Sequence, residues 1–136
     1  MRTNGHDGHG NPFVPRRADG GEPLRCCLRY AEADERIALI GYAPPGTAAG
    51  YREVGPVFVH ADACHGPRGT GYPTAYTDRD QVFRGYDADG AIADAILAGP
   101  GEHDIVIDKL FADERVVEIH TRNVTYGCFM LRIRRG

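Results

Sequence analysis

His60, Asp62 and Cys64 stand two residues apart at the end of the run Gly55-Pro56-Val57-Phe58-Val59-His60-Ala61-Asp62-Ala63-Cys64. If this apolar, β-branched run is extended, residues i, i+2 and i+4 share a face, and an imidazole, a carboxylate and a thiol address one small site. Such a set suits His60 as a general acid or base, oriented by a carboxylate such as Asp62 and placed beside a glycine-rich loop over residues 64–73. Cys27 and Cys64 are candidate nucleophiles wherever a nearby histidine or arginine favours the thiolate. The same residue types also have a purely structural reading, as a satisfied core histidine and as small buried hydrophobes.

A metal set would draw on His60, Cys64, Cys27 and His120, with Asp62 as a further donor. No C-x-x-C or H-E-x-x-H frame is present, so no strong motif implies a cofactor and the ligands would have to come from separate strands. Cys26 stays outside this set, because neighbours in a strand point to opposite faces unless the strand bulges or ends there. Arg25, Arg84, Tyr86, His120, Arg122, Asn123 and Tyr126 are the candidate ligand-binding residues. Their guanidiniums would grip a small anionic ligand, and the hydroxyl and amide groups would orient it.

The elements that must position these groups are mostly strands. Leu24–Tyr30 and Arg36–Ala43 read as a hairpin joined by residues 31–35, and the run from Gly55 to Ala63 reads as the next strand. Gln81–Tyr86 and Ala91–Leu97 flank Asp87-Ala88-Asp89-Gly90, whose Asp-Gly step favours a tight turn. Residues 102–112 carry apolar pairs at i, i+4, Val106/Leu110 and Ile107/Phe111, and predict the one helix. Val116–Arg122 and Tyr126–Arg134 complete the strands. The expected architecture is α+β, with about six mainly antiparallel strands in one curved sheet, approaching a barrel, and a single covering helix.

The 136 residues, 42% of them apolar, suffice for one globular core. Residues 1–21 are polar and glycine-rich and read as a flexible tail that docks through Phe13, and residues 22–136 read as a single domain. A net charge of −3 argues against nucleic acid or anionic lipid as a partner. There is no apolar signal segment at the start and no run long enough to span a membrane, so the expected location is cytoplasmic, where thiols stay reduced.

The segments Pro23-Leu24-Arg25-Cys26-Cys27-Leu28-Arg29, Gly55–Cys64, Arg84-Gly85-Tyr86-Asp87 and Val117–Phe129 resemble a bacterial family catalogued as domain of unknown function 1203. The resemblance runs from about Glu22 onward and implies a small intracellular bacterial domain, without implying a reaction. The leading expectation is therefore a small-molecule-binding domain centred on His60, with the question of catalysis open. A non-catalytic interaction module, pairing as a homodimer through an exposed strand edge, is the alternative. A thiol or metal sensor is the third reading.

Overall fold

The computed structural model describes residues 5–47, 50–69 and 71–135. Within them the chain forms nine strands, one short 3-10 turn and one α-helix, arranged as two sheets. The α+β class stands. The single curved sheet of about six strands does not: the sheets have five and four strands, and neither closes into a barrel. The chain also divides into two compact units, Met1–Tyr42 with Val54–Tyr76, and Ala43–Glu53 with Thr77–Gly136.

The first unit holds β1 (Arg16–Arg17), β2 (Pro23–Leu24), β3 (Arg29–Tyr30), β4 (Arg36–Tyr42) and β5 (Gly55–His60), in the order β1-β4-β5-β2-β3. β4 and β5 pair antiparallel along their whole lengths, from Ile37 opposite His60 to Tyr42 opposite Gly55. β2 lies parallel to β5 through Leu24 and Phe58. The expected hairpin between Leu24–Tyr30 and Arg36–Ala43 does not form. The first of those runs reverses on itself, so that Pro23 pairs with Tyr30 and Leu24 with Arg29. Leu28 makes the reversal possible by adopting φ 57°, a left-handed conformation that an alternating strand pattern does not anticipate. Ile37 and Leu24, both fully buried, anchor one apolar cluster of this unit, and Ile40, Val57 and Val59 anchor another.

Residues 1–4 of the expected tail lie outside the described residues. From Gly5 onward the segment is placed against β4: Arg16 and Arg17 pair with Ile37 and Arg36, and Phe13 packs on the Ile40/Val57/Val59 cluster. The Asp7 carboxylate accepts hydrogen bonds from the Gly41 amide (2.7 Å) and from Asn11, through both its backbone (3.0 Å) and its side chain (2.9 Å). These bonds, the Asn11 side chain first, hold the Asp7 carboxyl well below the ordinary range.

The second unit holds β6 (Gln81–Tyr86), β7 (Ile92–Ala98), α1 (His103–Phe111), β8 (Glu118–Asn123) and β9 (Phe129–Arg134), with sheet order β7-β6-β8-β9. Here the local reading of the sequence holds closely. The Asp87 carboxylate accepts from the Asp89 and Ala91 amides and Gly90 sits at φ 80°, which closes the β6–β7 hairpin. α1 packs its Val106 and Leu110 stripe inward. Asp104 in its first turn and Lys109 in its last complement the helix dipole, and Arg135 donates to the Phe111 and Asp113 carbonyls just past its end. Among the described residues, no helix is long and apolar enough to cross a membrane.

Gly46 sits at φ 84°, and a Cβ at this position would collide with the Glu118 carboxylate. Gly46→Ala is therefore expected to combine left-handed backbone strain with displacement of Glu118, costing about 1–3 kcal/mol. Urea unfolding should show a lower midpoint with an unchanged slope; an unaltered midpoint would contradict the packing at this turn.

Candidate functional site

Four side chains of the first unit converge: Cys26, Cys27, His60 and Cys64, whose ligand atoms all lie within 4.8 Å of one another. Cys26 and Cys27 come from the reversal between β2 and β3. Because residues 25–28 form a turn, strand alternation does not apply to them, and both thiols face His60. This corrects the exclusion of Cys26. The turn is braced by the Arg25 amide on the Phe58 carbonyl (2.9 Å) and the Leu28 amide on the Leu24 carbonyl (3.0 Å). The buried Tyr76 donates its hydroxyl to the Leu24 carbonyl at 2.9 Å from the 3-10 turn Thr74–Tyr76.

His60 is the last residue of β5, and Cys64 follows on the glycine-rich loop. The imidazole Nδ1 lies 3.4 Å from Cys26 Sγ and 3.8 Å from Cys27 Sγ. Its Nε2 lies 2.8 Å from Glu35 Oε2. Glu35 is in turn gripped by Arg29 through two bonds, NH1 to Oε1 (2.8 Å) and NH2 to Oε2 (2.9 Å), and it also accepts the Glu32 amide (2.8 Å). Arg29 first, then the Glu32 amide, hold the Glu35 carboxyl far below its usual range, so Glu35 is an anion. Arg29 NH2 lies 3.2 Å from the same Nε2, so that nitrogen meets both the carboxylate and the guanidinium while Nδ1 faces the sulfurs.

The three thiols are not equivalent. Burial opposes ionisation at all three. At Cys27 burial and the neighbouring sulfurs push the thiol up to about 12. Cys26 is also raised, by burial first, although its sulfur accepts the His60 backbone N–H at 3.3 Å. At Cys64 the opposing hydrogen bonds win: the Gly66 amide, His60 and the other two thiols outweigh burial and bring the group down to about 7. Ionisation is thus opposed at Cys26 and Cys27 and favoured at Cys64.

A cavity of about 460 Å³ adjoins the cluster, with Cys27, Arg29, Glu32, Gly66, Tyr72 and Thr74 among its walls. Cys27 therefore meets both the imidazole and open space.

The other expected site residues make contacts of their own. Asp62 does not orient His60. The strand ends at His60, the alternation that would have aligned the two side chains ends with it, and Asp62 pairs with Arg36 at 2.8 Å in an exposed position. Arg25 donates to the Pro23 carbonyl of its own turn. His120 belongs to the second unit and is fully buried, with Glu118 on its Nε2 (2.8 Å) and the Tyr86 and Phe129 rings at 4.5 and 5.5 Å. Burial, its largest influence, lowers the His120 pKa, and this histidine is not part of the thiol group. Arg84 and Arg122 both pair with Glu53, and Arg122 also donates to the Gly127 carbonyl. Tyr86 and Asn123 are buried and Tyr126 is 85% exposed. Glu35 and Arg29 escaped the sequence reading because nothing in their spacing marks a bond to residue 60.

A model for a family described as protein of unknown function (DUF1203) matches residues 21–135 of the chain. Neither a curated protein nor a solved structure matches it.

In reduced, chelator-stripped protein, Cys64 should become alkylatable by iodoacetamide with a midpoint near pH 7, while Cys27 stays unmodified until the pH approaches 12. Peptide mass spectrometry across a pH series reads both. An ordinary thiol midpoint at Cys27 would refute the assigned order.

Proposed function

We propose that this chain, which belongs to the DUF1203 family of proteins of unknown function, is a zinc-binding protein whose Cys26, Cys27, His60 and Cys64 form a Cys3His centre. The observation that carries this reading is the convergence of four donor atoms within 4.8 Å, with the imidazole already oriented by a carboxylate on its far nitrogen. Zinc bonds of about 2.3 Å to sulfur and about 2.0–2.1 Å to nitrogen imply tetrahedral edges of about 3.8 Å between sulfurs and about 3.6 Å from sulfur to nitrogen. The Nδ1 distances of 3.4 and 3.8 Å bracket the second value. Any wider sulfur pair needs a contraction of no more than about 1 Å, which is the difference between the 4.8 Å limit and the ideal sulfur edge.

The surroundings favour the charge as well as the geometry. Three thiolates and one dication leave a single negative charge, and the Arg29 guanidinium acts on the Cys27 sulfur across the site. A thiolate-rich tetrahedral set selects zinc over magnesium or calcium, which prefer oxygen donors. Four protein donors leave no open position for substrate, so the centre suits a structural or sensing role rather than hydrolysis. It would tie the 25–28 turn, the end of β5 and the following loop to one another.

A second reading, favoured by the cavity beside Cys27, is a small-molecule site in which that thiol contacts the ligand and His60 manages its proton. The two readings diverge on metal content.

Purified without chelator, the chain should carry one zinc per molecule by elemental analysis, and cobalt should replace it with the thiolate charge-transfer and tetrahedral d–d bands of a sulfur-rich site. Cys26→Ser, Cys27→Ser, Cys64→Ser and His60→Ala should each remove those bands or weaken binding strongly. Glu35→Gln should weaken it by about 10–100-fold through loss of the carboxylate behind the imidazole. Asp62→Asn should leave affinity unchanged. Protein that takes up neither metal would refute the centre and leave the small-molecule reading.

A further inference from the structure

The four donors are tethered very unequally. Cys26 and Cys27 ride on a turn braced by backbone bonds to Phe58 and Leu24 and by the Tyr76 hydroxyl, and His60 is fixed by its pairing with Ile37 on β4 and by Glu35. Cys64 lies beyond the end of β5, on a loop without strand pairing among its described residues, in which Gly66, Gly69 and Gly71 all take positive φ. One thiol on a frame and one on a loop is an arrangement that can change its bonding without dismantling a sheet.

The three sulfurs offer three possible disulfides, and geometry separates them. Cys26 and Cys27 are adjacent, so their Cα atoms are about 3.8 Å apart across a trans peptide, below the roughly 4.4–6.8 Å that a disulfide spans. Cys26 is further committed by the His60 N–H that its sulfur accepts. Cys27 and Cys64 remain: they come from different segments, their sulfurs lie within 4.8 Å, and Cys27 forms part of a cavity wall that a small oxidant can reach.

We propose that the centre is redox-released: a hydroperoxide entering the cavity oxidises Cys27, Cys64 closes a Cys27–Cys64 disulfide, and the zinc departs. The proposal rests on the zinc reading above. In the first step the Cys27 sulfur, a thiolate in the zinc-bound centre, forms a bond to a peroxide oxygen, the O–O bond breaks, and hydroxide or an alkoxide leaves. In the second the Cys64 thiolate attacks the sulfenic sulfur, the S–S bond forms, the S–O bond breaks, and hydroxide leaves. Two thiolates lose one electron each and the peroxide is reduced by two. Zinc then keeps only Cys26 and His60 of its four donors, too few for a stable tetrahedral site.

The test uses the full reduced chain with its zinc content established beforehand. Stoichiometric hydrogen peroxide should liberate about one zinc per chain to a chromogenic indicator, and peptide mass spectrometry should find the Cys27 peptide joined to the Cys64 peptide. Dithiothreitol should then restore zinc uptake. Cys27→Ser and Cys64→Ser should abolish the cross-link, and Cys26→Ser should retain it, which keeps the assignment testable even where one variant folds poorly. Zinc held against peroxide, release without the cross-link, or a cross-link that survives Cys27→Ser would overturn the proposal. The cross-linking assay is also run on metal-free chain: a chain that binds no zinc but forms the bond overturns the zinc reading and the release step, whereas a chain that holds zinc and forms no bond overturns only the redox step.

Discussion

The Glu35 carboxylate is the pivot of the first unit. It receives the Arg29 guanidinium, the Glu32 amide and the His60 Nε2, and so joins β3, the segment leading into β4 and the end of β5 at one pair of oxygens. Both Arg29 and Glu35 are partly exposed, so solvent screens much of what their pairing contributes to stability. The larger consequence is orientation. With Nε2 held between the Glu35 carboxylate and the Arg29 guanidinium, the ring is fixed in direction and its Nδ1 stands toward the sulfurs.

The second unit shows how much the rest of the environment matters. His120 also has a carboxylate 2.8 Å from its Nε2, supplied by Glu118, and Arg132 neutralises the same carboxylate at 2.9 Å. Its ring, however, is fully buried beside Tyr86 and Phe129, and among the described residues its Nδ1 has no hydrogen-bond partner. The same histidine–carboxylate pair therefore turns its Nδ1 toward sulfur atoms in one unit and lies among aromatic rings in the other. Residue type and carboxylate partner do not make a site; what faces the second nitrogen does.

The reversal at residues 25–28 converts that orientation into a four-donor cluster. Had Leu24–Tyr30 continued as a strand, Cys26 and Cys27 would have faced opposite sides and at most one thiol could have met His60. The left-handed backbone at Leu28 and the brace from Tyr76, 48 residues further along the chain, turn two adjacent cysteines toward one imidazole. The loop that returns Cys64 to the same point then also forms part of the wall of the neighbouring cavity.

Features set by short-range periodicity and turn chemistry were legible in the residues themselves. The Asp87–Gly90 hairpin, the helix at His103–Phe111 and the body of the strand Gly55–His60 each depend on contacts between near neighbours, and their residue types announce them, although the expected continuation of that strand to Ala63 does not form. Cys27, His60 and Cys64 were legible as candidates in the same way, from side-chain chemistry, and the fold brings them together. Which groups would meet was not. The parallel pairing of Leu24 with Phe58, the Glu35–His60 bond and the arrival of Cys26 beside His60 join positions 34, 25 and 34 residues apart. Periods of 2 and 3.6 residues carry no information at such separations; only packing of the whole chain, and one residue at positive φ, determined them.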